Sequence, residues 1–99
     1  MLNIKKTVEN DRAIVALAGR LDTAAAPELD SELKDMLPDL TALTLDMKEL
    51  DYVSSAGLRV LLSAYKVMSR QGELKLKNVN EVIMEIFEVT GFSDIFTIE

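Results

Sequence analysis

The 99-residue chain is predicted to form an α/β domain. The expected architecture is a mixed, mostly parallel sheet of four to five strands, opened by an N-terminal antiparallel hairpin and covered by three to four helices. Three observations carry this prediction. Strand-length apolar runs alternate with stretches whose apolar residues recur every three or four positions. The first two runs are separated only by the polar turn Glu9-Asn10-Asp11-Arg12, as in a hairpin. Each later run is joined to the next through a helical stretch, which implies parallel strands with right-handed crossovers.

Leu2–Val8 alternates through Leu2 and Ile4 to Val8 and suits an edge strand. Ala13–Ala18 is a continuous apolar run ending at Gly19, the pattern of a strand buried on both faces. Asp22 and Thr23 are helix N-cap types, and Pro27 is tolerated in a first turn. Ala26, Leu29, Leu33, Met36 and Leu37 then recur at helical spacing until Pro38 stops the helix. Thr41–Met47 alternates as a third strand, and Glu49–Val53 is expected to be a loop. A long helix follows over about Ser55–Arg70, with Gly72 placed to cap its end. Glu73–Lys77 is a fourth strand. Asn80 caps a last helix that holds Val82, Ile83, Ile86 and Phe87, with Val79 placed to staple onto Met84 and Gly91 as the stop. Phe92, Ile95, Phe96 and Ile98 suit either a short helical turn or a final edge strand. With no internal repeat or linker, residues 1–99 are expected to be one domain.

Composition excludes several chemistries. The chain has neither Cys nor His, so it can build no disulfide, thiolate nucleophile, zinc–cysteine site or Ser-His-Asp triad of its own. Its net charge of −6 argues against nucleic acid, where Lys and Arg must neutralise phosphates. The apolar run Ala13–Ala18 is far shorter than the ~20 residues that span a bilayer. These features point to a cytoplasmic protein without membrane insertion, and no cofactor is implied. Asp22, Asp46 and Asp51 could share a metal, but their spacing matches no ligand motif, so no metal site is expected.

The unusual stretch is Asp51-Tyr52-Val53-Ser54-Ser55-Ala56-Gly57-Leu58, where two serines stand at a strand-to-helix junction. In α/β folds the loops beyond the carboxyl ends of strands carry function. The Gly19–Thr23 loop also follows a strand end, so Asp22 and Ser55 are expected near one another. A serine at a helix start is ordinarily a cap, worth ~1 kcal/mol. One cap suffices, so the second hydroxyl is left over. Gly57 costs a helix ~1 kcal/mol relative to Ala, which either a close approach there by another backbone or a partner, or tight helix–sheet packing, would explain. Along the helix, Leu58, Leu61, Leu62, Tyr65 and Met68 form the core stripe, and Arg59, Ser63, Lys66 and Arg70 the solvated one. Val60, Ala64 and Val67 fall on a flank that suits either a neighbouring helix or a docking patch.

These residues resemble a STAS domain of the anti-sigma factor antagonist family. Gly-Arg-Leu-Asp-Thr at 19–23 is similar to the family's Gly-x-Leu-Asp loop, and Leu-Thr-Leu-Asp-Met at 43–47 to its central strand. Tyr-Val-Ser-Ser-Ala-Gly-Leu-Arg-Val-Leu-Leu at 52–62 is similar to its Asp-Ser-Ser/Thr-Gly-Leu loop and helix, with Ser54 and Ala56 as departures. The resemblance implies a STAS-like fold and a phosphorylation-switched binding module. The modified serine falls on Ser55, with Ser54 as second choice. Asp22, Thr23, Ser54, Ala56, Gly57, Leu58, Val60, Ala64 and Val67 become the implied partner-binding residues. The implied partners are an anti-sigma factor that is also a serine kinase and a PP2C-type phosphatase. Oligomeric state is left open. A second reading stands beside it: a constitutive STAS subunit of a larger assembly such as a lipid-transport ATPase. A carrier protein bearing a phosphopantetheine arm on serine is a third, but such carriers are all-helical with Asp-Ser-Leu, whereas this chain has strand patterns and Ser54-Ser55-Ala56.

Overall fold

The computed structural model describes residues 2–99. Five strands alternate with three helices: β1 (Leu2–Glu9), β2 (Arg12–Leu21), α1 (Ala26–Met36), β3 (Ala42–Val53), α2 (Ser55–Gln71), β4 (Glu73–Lys77), α3 (Glu81–Thr90) and β5 (Thr97–Ile98). Short 3₁₀ turns follow α1 at Leu37–Asp39 and α3 at Phe92–Asp94. The sheet runs β1-β2-β3-β4-β5 in chain order, with β1 antiparallel to β2 and every other pair parallel. The predicted class and element order are therefore found. The aromatic tail takes both of its candidate forms in series, a 3₁₀ turn and then a short edge strand.

Helices cover one face of the sheet. Val15, Leu17, Leu43, Leu45 and Leu76 point into that layer at 1% exposure or less. Ile14 and Thr44, in register on the opposite face, do not, and Ile14 is 51% exposed. The Ala13–Ala18 run is thus buried on one face only, a correction to the expected two-sided burial. Its unbroken apolar character comes from small alanines at 16 and 18 that are merely half-buried. Phe96 stands between the helices, 5.6 Å from Tyr65 of α2 and 5.9 Å from Phe87 of α3 between ring centroids.

The expected loop at Glu49–Val53 is instead the second half of β3. Pairing explains the misreading: Ala16 faces Asp46 and Ala18 faces Glu49, and then Gly19 faces Leu50 and Arg20 faces Tyr52. Each step places one extra residue in β3, so two bulges replace strict alternation by burial at Met47, Leu50 and Val53. β4 accompanies β3 only from Ala42 to Asp46. Beyond that point Asn80 covers the vacant edge: its Nδ2 donates to the Leu50 carbonyl at 2.7 Å, while its Oδ1 accepts from Ile83 N–H to cap α3. Asp46 lies where β4 turns away. It accepts from the Asn78 side chain and from Lys48 N–H, and these bonds hold its carboxyl below the ordinary aspartate value.

Gly91 ends α3 as expected, in the left-handed region at φ 81°. Gly72 caps the end of α2 as expected, with extended backbone at φ 176° where Gly91 is left-handed. It is a glycine for a different reason: a Cβ there would lie 1.8 Å from the Thr41 carbonyl oxygen.

Candidate functional site

The site is built where β2 and β3 end together. Leu21 pairs with Val53, and the Leu21 carbonyl accepts from Ser54 N–H at 2.9 Å. This bond fastens the Gly19–Thr23 loop to the serine loop, so the expected nearness of the two segments is realised. Gly57 then sits against Leu21: a Cβ would meet its carbonyl oxygen at 2.8 Å and its side chain at 2.7 Å. The anticipated close backbone approach is therefore internal, and it fixes the first turn of α2 on the end of β2.

Asp22 does not cap α1 directly. Its Oδ1 accepts from Ala25 N–H at 2.9 Å and its carbonyl accepts from Ala26 N–H, forming the turn that launches the helix at Ala26. Thr23 is exposed beside it.

The two serines divide the work that the sequence left unassigned. Ser54 is the N-cap, 8% exposed, and its Oγ accepts from Gly57 N–H at 3.2 Å. Its carbonyl accepts from Leu58 N–H. Ser55 is the first residue of the helix, and its side chain is exposed. The spare hydroxyl is thus at Ser55. A direct consequence is that Ser54→Ala should lower stability by about 1 kcal/mol, whereas Ser55→Ala should change it by a few tenths at most. Urea unfolding midpoints measure both, and equal losses would show the cap to be wrongly assigned.

The implied partner-binding residues separate into two groups. Asp22, Thr23, Ala56, Val60 and Val67 retain at least partial exposure. Gly57, Leu58 and Ala64 are buried, with Leu58 at 7% and Ala64 at 2% exposure. Ala64 is the clearest correction: it belongs to the core, so it shapes the surface from beneath instead of touching a partner. Val60 and Val67 also pack against the core, which narrows the flank expected for docking.

One neighbour escaped the sequence reading. Arg20 lies over the Tyr52 ring, its Cζ 4.4 Å from the centroid, the two residues being paired one step before the ends of β2 and β3. Only the bulged register brings these two residues opposite each other, and that register is invisible in the residue pattern. Asp22, Asp46 and Asp51 are not gathered into a metal site: among the described residues no cluster of three or more Asp or Glu suits an ion. Among them, too, no helix is long and apolar enough to cross a membrane.

Known proteins share both sequence and fold with this chain. The STAS domain profile matches residues 3–99. The anti-sigma-B factor antagonist of Bacillus subtilis (strain 168) is 35% identical over 94 residues, which span 94% of this chain and 85% of that protein. The crystal structure of an anti-sigma factor antagonist from Mycobacterium paratuberculosis superposes with a TM-score of 0.89 at 18% identity, covering 99% of this chain and 85% of the other. The Bacillus antagonist SpoIIAA matches in its unphosphorylated form with a TM-score of 0.76 (15% identity, 100% of this chain, 87% of the other). Its phosphorylated form matches at 0.75 (16% identity, 100% of this chain, 91% of the other). At such identities the structures speak for the fold alone, and the fold of the phosphorylated form serves as well as the other. With the profile spanning residues 3–99 and a relative at 35% identity, the chain belongs to the STAS domain family.

Proposed function

We propose that this chain is an anti-sigma factor antagonist whose grip on its partner is switched by phosphorylation of Ser55. Unmodified, it binds an anti-sigma factor that doubles as a serine kinase, and so frees the sigma factor. The kinase transfers the γ-phosphoryl group of ATP to the Ser55 oxygen; ADP leaves, and the hydroxyl proton passes to a base on the kinase. A PP2C-type phosphatase hydrolyses the ester and resets the switch. All of this is placed in the cytoplasm. The chain is the substrate of this chemistry and not its catalyst, in keeping with a sequence that has no His or Cys.

The observation that carries the reading is the division between the serines. Ser54 spends its oxygen on Gly57 N–H, while Ser55 stands exposed on the first turn of a rigidly seated helix. The relative named an anti-sigma-B factor antagonist supports the client class. A phosphate on the first turn also meets the positive end of the helix dipole, favourable by ~0.3–1 kcal/mol, so the domain stays folded when modified. A constitutive subunit of a transport assembly would have no need of this spare hydroxyl.

The decisive experiment is incubation with the anti-sigma kinase and ATP, followed by mass spectrometry of the intact and digested chain. One phosphate on Ser55, lost in Ser55→Ala and kept in Ser54→Ala, is expected. A phosphate on Ser54, or none, overturns the reading.

A further inference from the structure

The outward face of α2 is positively charged without interruption. Arg59, Lys66 and Arg70 are all exposed on it, together with Ser55 and Ser63. The helix contains no Asp or Glu, although the chain as a whole has a net charge of −6. Its neighbours are the reverse: α3 carries Glu81, Glu85 and Glu88 with no base, and α1 sets Glu28, Asp30, Glu32 and Asp35 against Lys34 alone. Among the described residues the ion pairs engage Lys6, Lys34 and Lys75, and Arg59 forms none.

Ser55 and Arg59 are four residues apart on this face. That spacing places side chains one above the other, with Cβ atoms ~5–6 Å apart, and an acidic group N-terminal to a basic one is the favourable order. Within the same turn, Gly57 N–H is already taken by Ser54. The guanidinium of Arg59 presents a planar fork of donors that matches phosphate oxygens, and it is always charged.

We infer that Arg59 is the receiving group for a phosphate on Ser55, an intramolecular clamp one helical turn along α2. The phosphoserine is held against its own helix by Arg59 and the macrodipole. Modification therefore acts twice on the face a partner meets: it adds about two negative charges and withdraws an arginine. The inference rests on Ser55 being the modified residue, and its test is independent of any kinase.

The full chain is prepared by chemical synthesis with phosphoserine at position 55, and its ³¹P resonance is followed from pH 4 to 8 in 0.15 M salt. An ordinary phosphoserine loses its second proton at pH ~6. The other charged groups near the loop, Arg20 and Asp22 at the end of β2 and Asp51 on β3, are common to all variants. Arg59→Gln is expected to raise the midpoint by about 0.5 unit, and Arg59→Lys by less than half of that. Arg70→Gln should move it by no more than ~0.1 unit, because fifteen residues of helix place Arg70 ~22 Å away, beyond two screening lengths. Equal midpoints with and without Arg59, or an equal shift in Arg70→Gln, overturn the clamp. Failure of the kinase to modify Ser55 would instead sink the switch while leaving this measurement intact.

Discussion

Replacing Gly72 by alanine is expected to lower the melting temperature by about 12–24 °C. A Cβ at this position would stand 1.8 Å from the Thr41 oxygen and 2.5 Å from its carbonyl carbon. Both are backbone atoms held in place, since Thr41 N–H donates to the Asp11 carbonyl and Glu73 N–H donates to the Thr41 carbonyl. Relief therefore requires parting β4 from the turn that precedes β3. Overpacking of this kind costs about 3 kcal/mol or more, and each kcal/mol shifts a domain of this size by roughly 4–8 °C. Because φ is extended there, no backbone strain adds to the cost. Gly91→Ala is the informative contrast: it has open space around it but a left-handed φ of 81°, and should cost only ~1 kcal/mol. Circular-dichroism melts of the two variants settle the order. A Gly72→Ala protein melting within a few degrees of the parent would refute the close approach.

The second large effect is on binding. Phosphorylation of Ser55 should weaken affinity for the anti-sigma partner on the order of a hundredfold while leaving thermal stability nearly unchanged. A partner carboxylate ~6 Å from the phosphate opposes each added charge by ~3 kcal/mol at an effective dielectric of 20. Halving the total for salt screening leaves about 2–3 kcal/mol, close to two decades in Kd. Ser55→Asp adds a single charge and should retain a smaller part of the loss. Calorimetric titration of the partner with both forms, beside melts of each, separates an interface effect from an unfolding one. A large drop in melting temperature on modification would mean that structure, and not the interface, is being switched.

Much of this was legible in the residues because the elements obey their own periods. α2 and α3 were found with their caps, since Asn80, Gly91 and the serine pair are chemically specific signals. The serine loop stood out because two hydroxyls competed for one capping role. What was hidden depends on partners far along the chain. The second half of β3 looked like a loop because two bulges against β2 destroy its alternation. Ala64 looked like surface because a helical wheel cannot say how deep a flank is buried, and here it lies within the core cluster at 2% exposure. Gly72 was recognised as a stop, yet its actual reason lies with Thr41, 31 positions earlier. The Arg20–Tyr52 stack needed the same bulged register.

Asn80 has a bearing on how the chain survives its own synthesis. The portion of β3 past Asp46 has a neighbouring strand on one side only, and its other edge carries backbone groups that no strand pairs, on a segment whose Met47, Leu50 and Val53 are buried in the folded chain. Such an edge is a template for aggregation. The carbonyl of Leu50 is answered only when the residues after β4 have folded back and Asn80 has docked. A nascent or partly unfolded chain lacking α3 therefore leaves this strand edge open directly beside the serine loop, and the Asn80 amide answers it when the fold is complete.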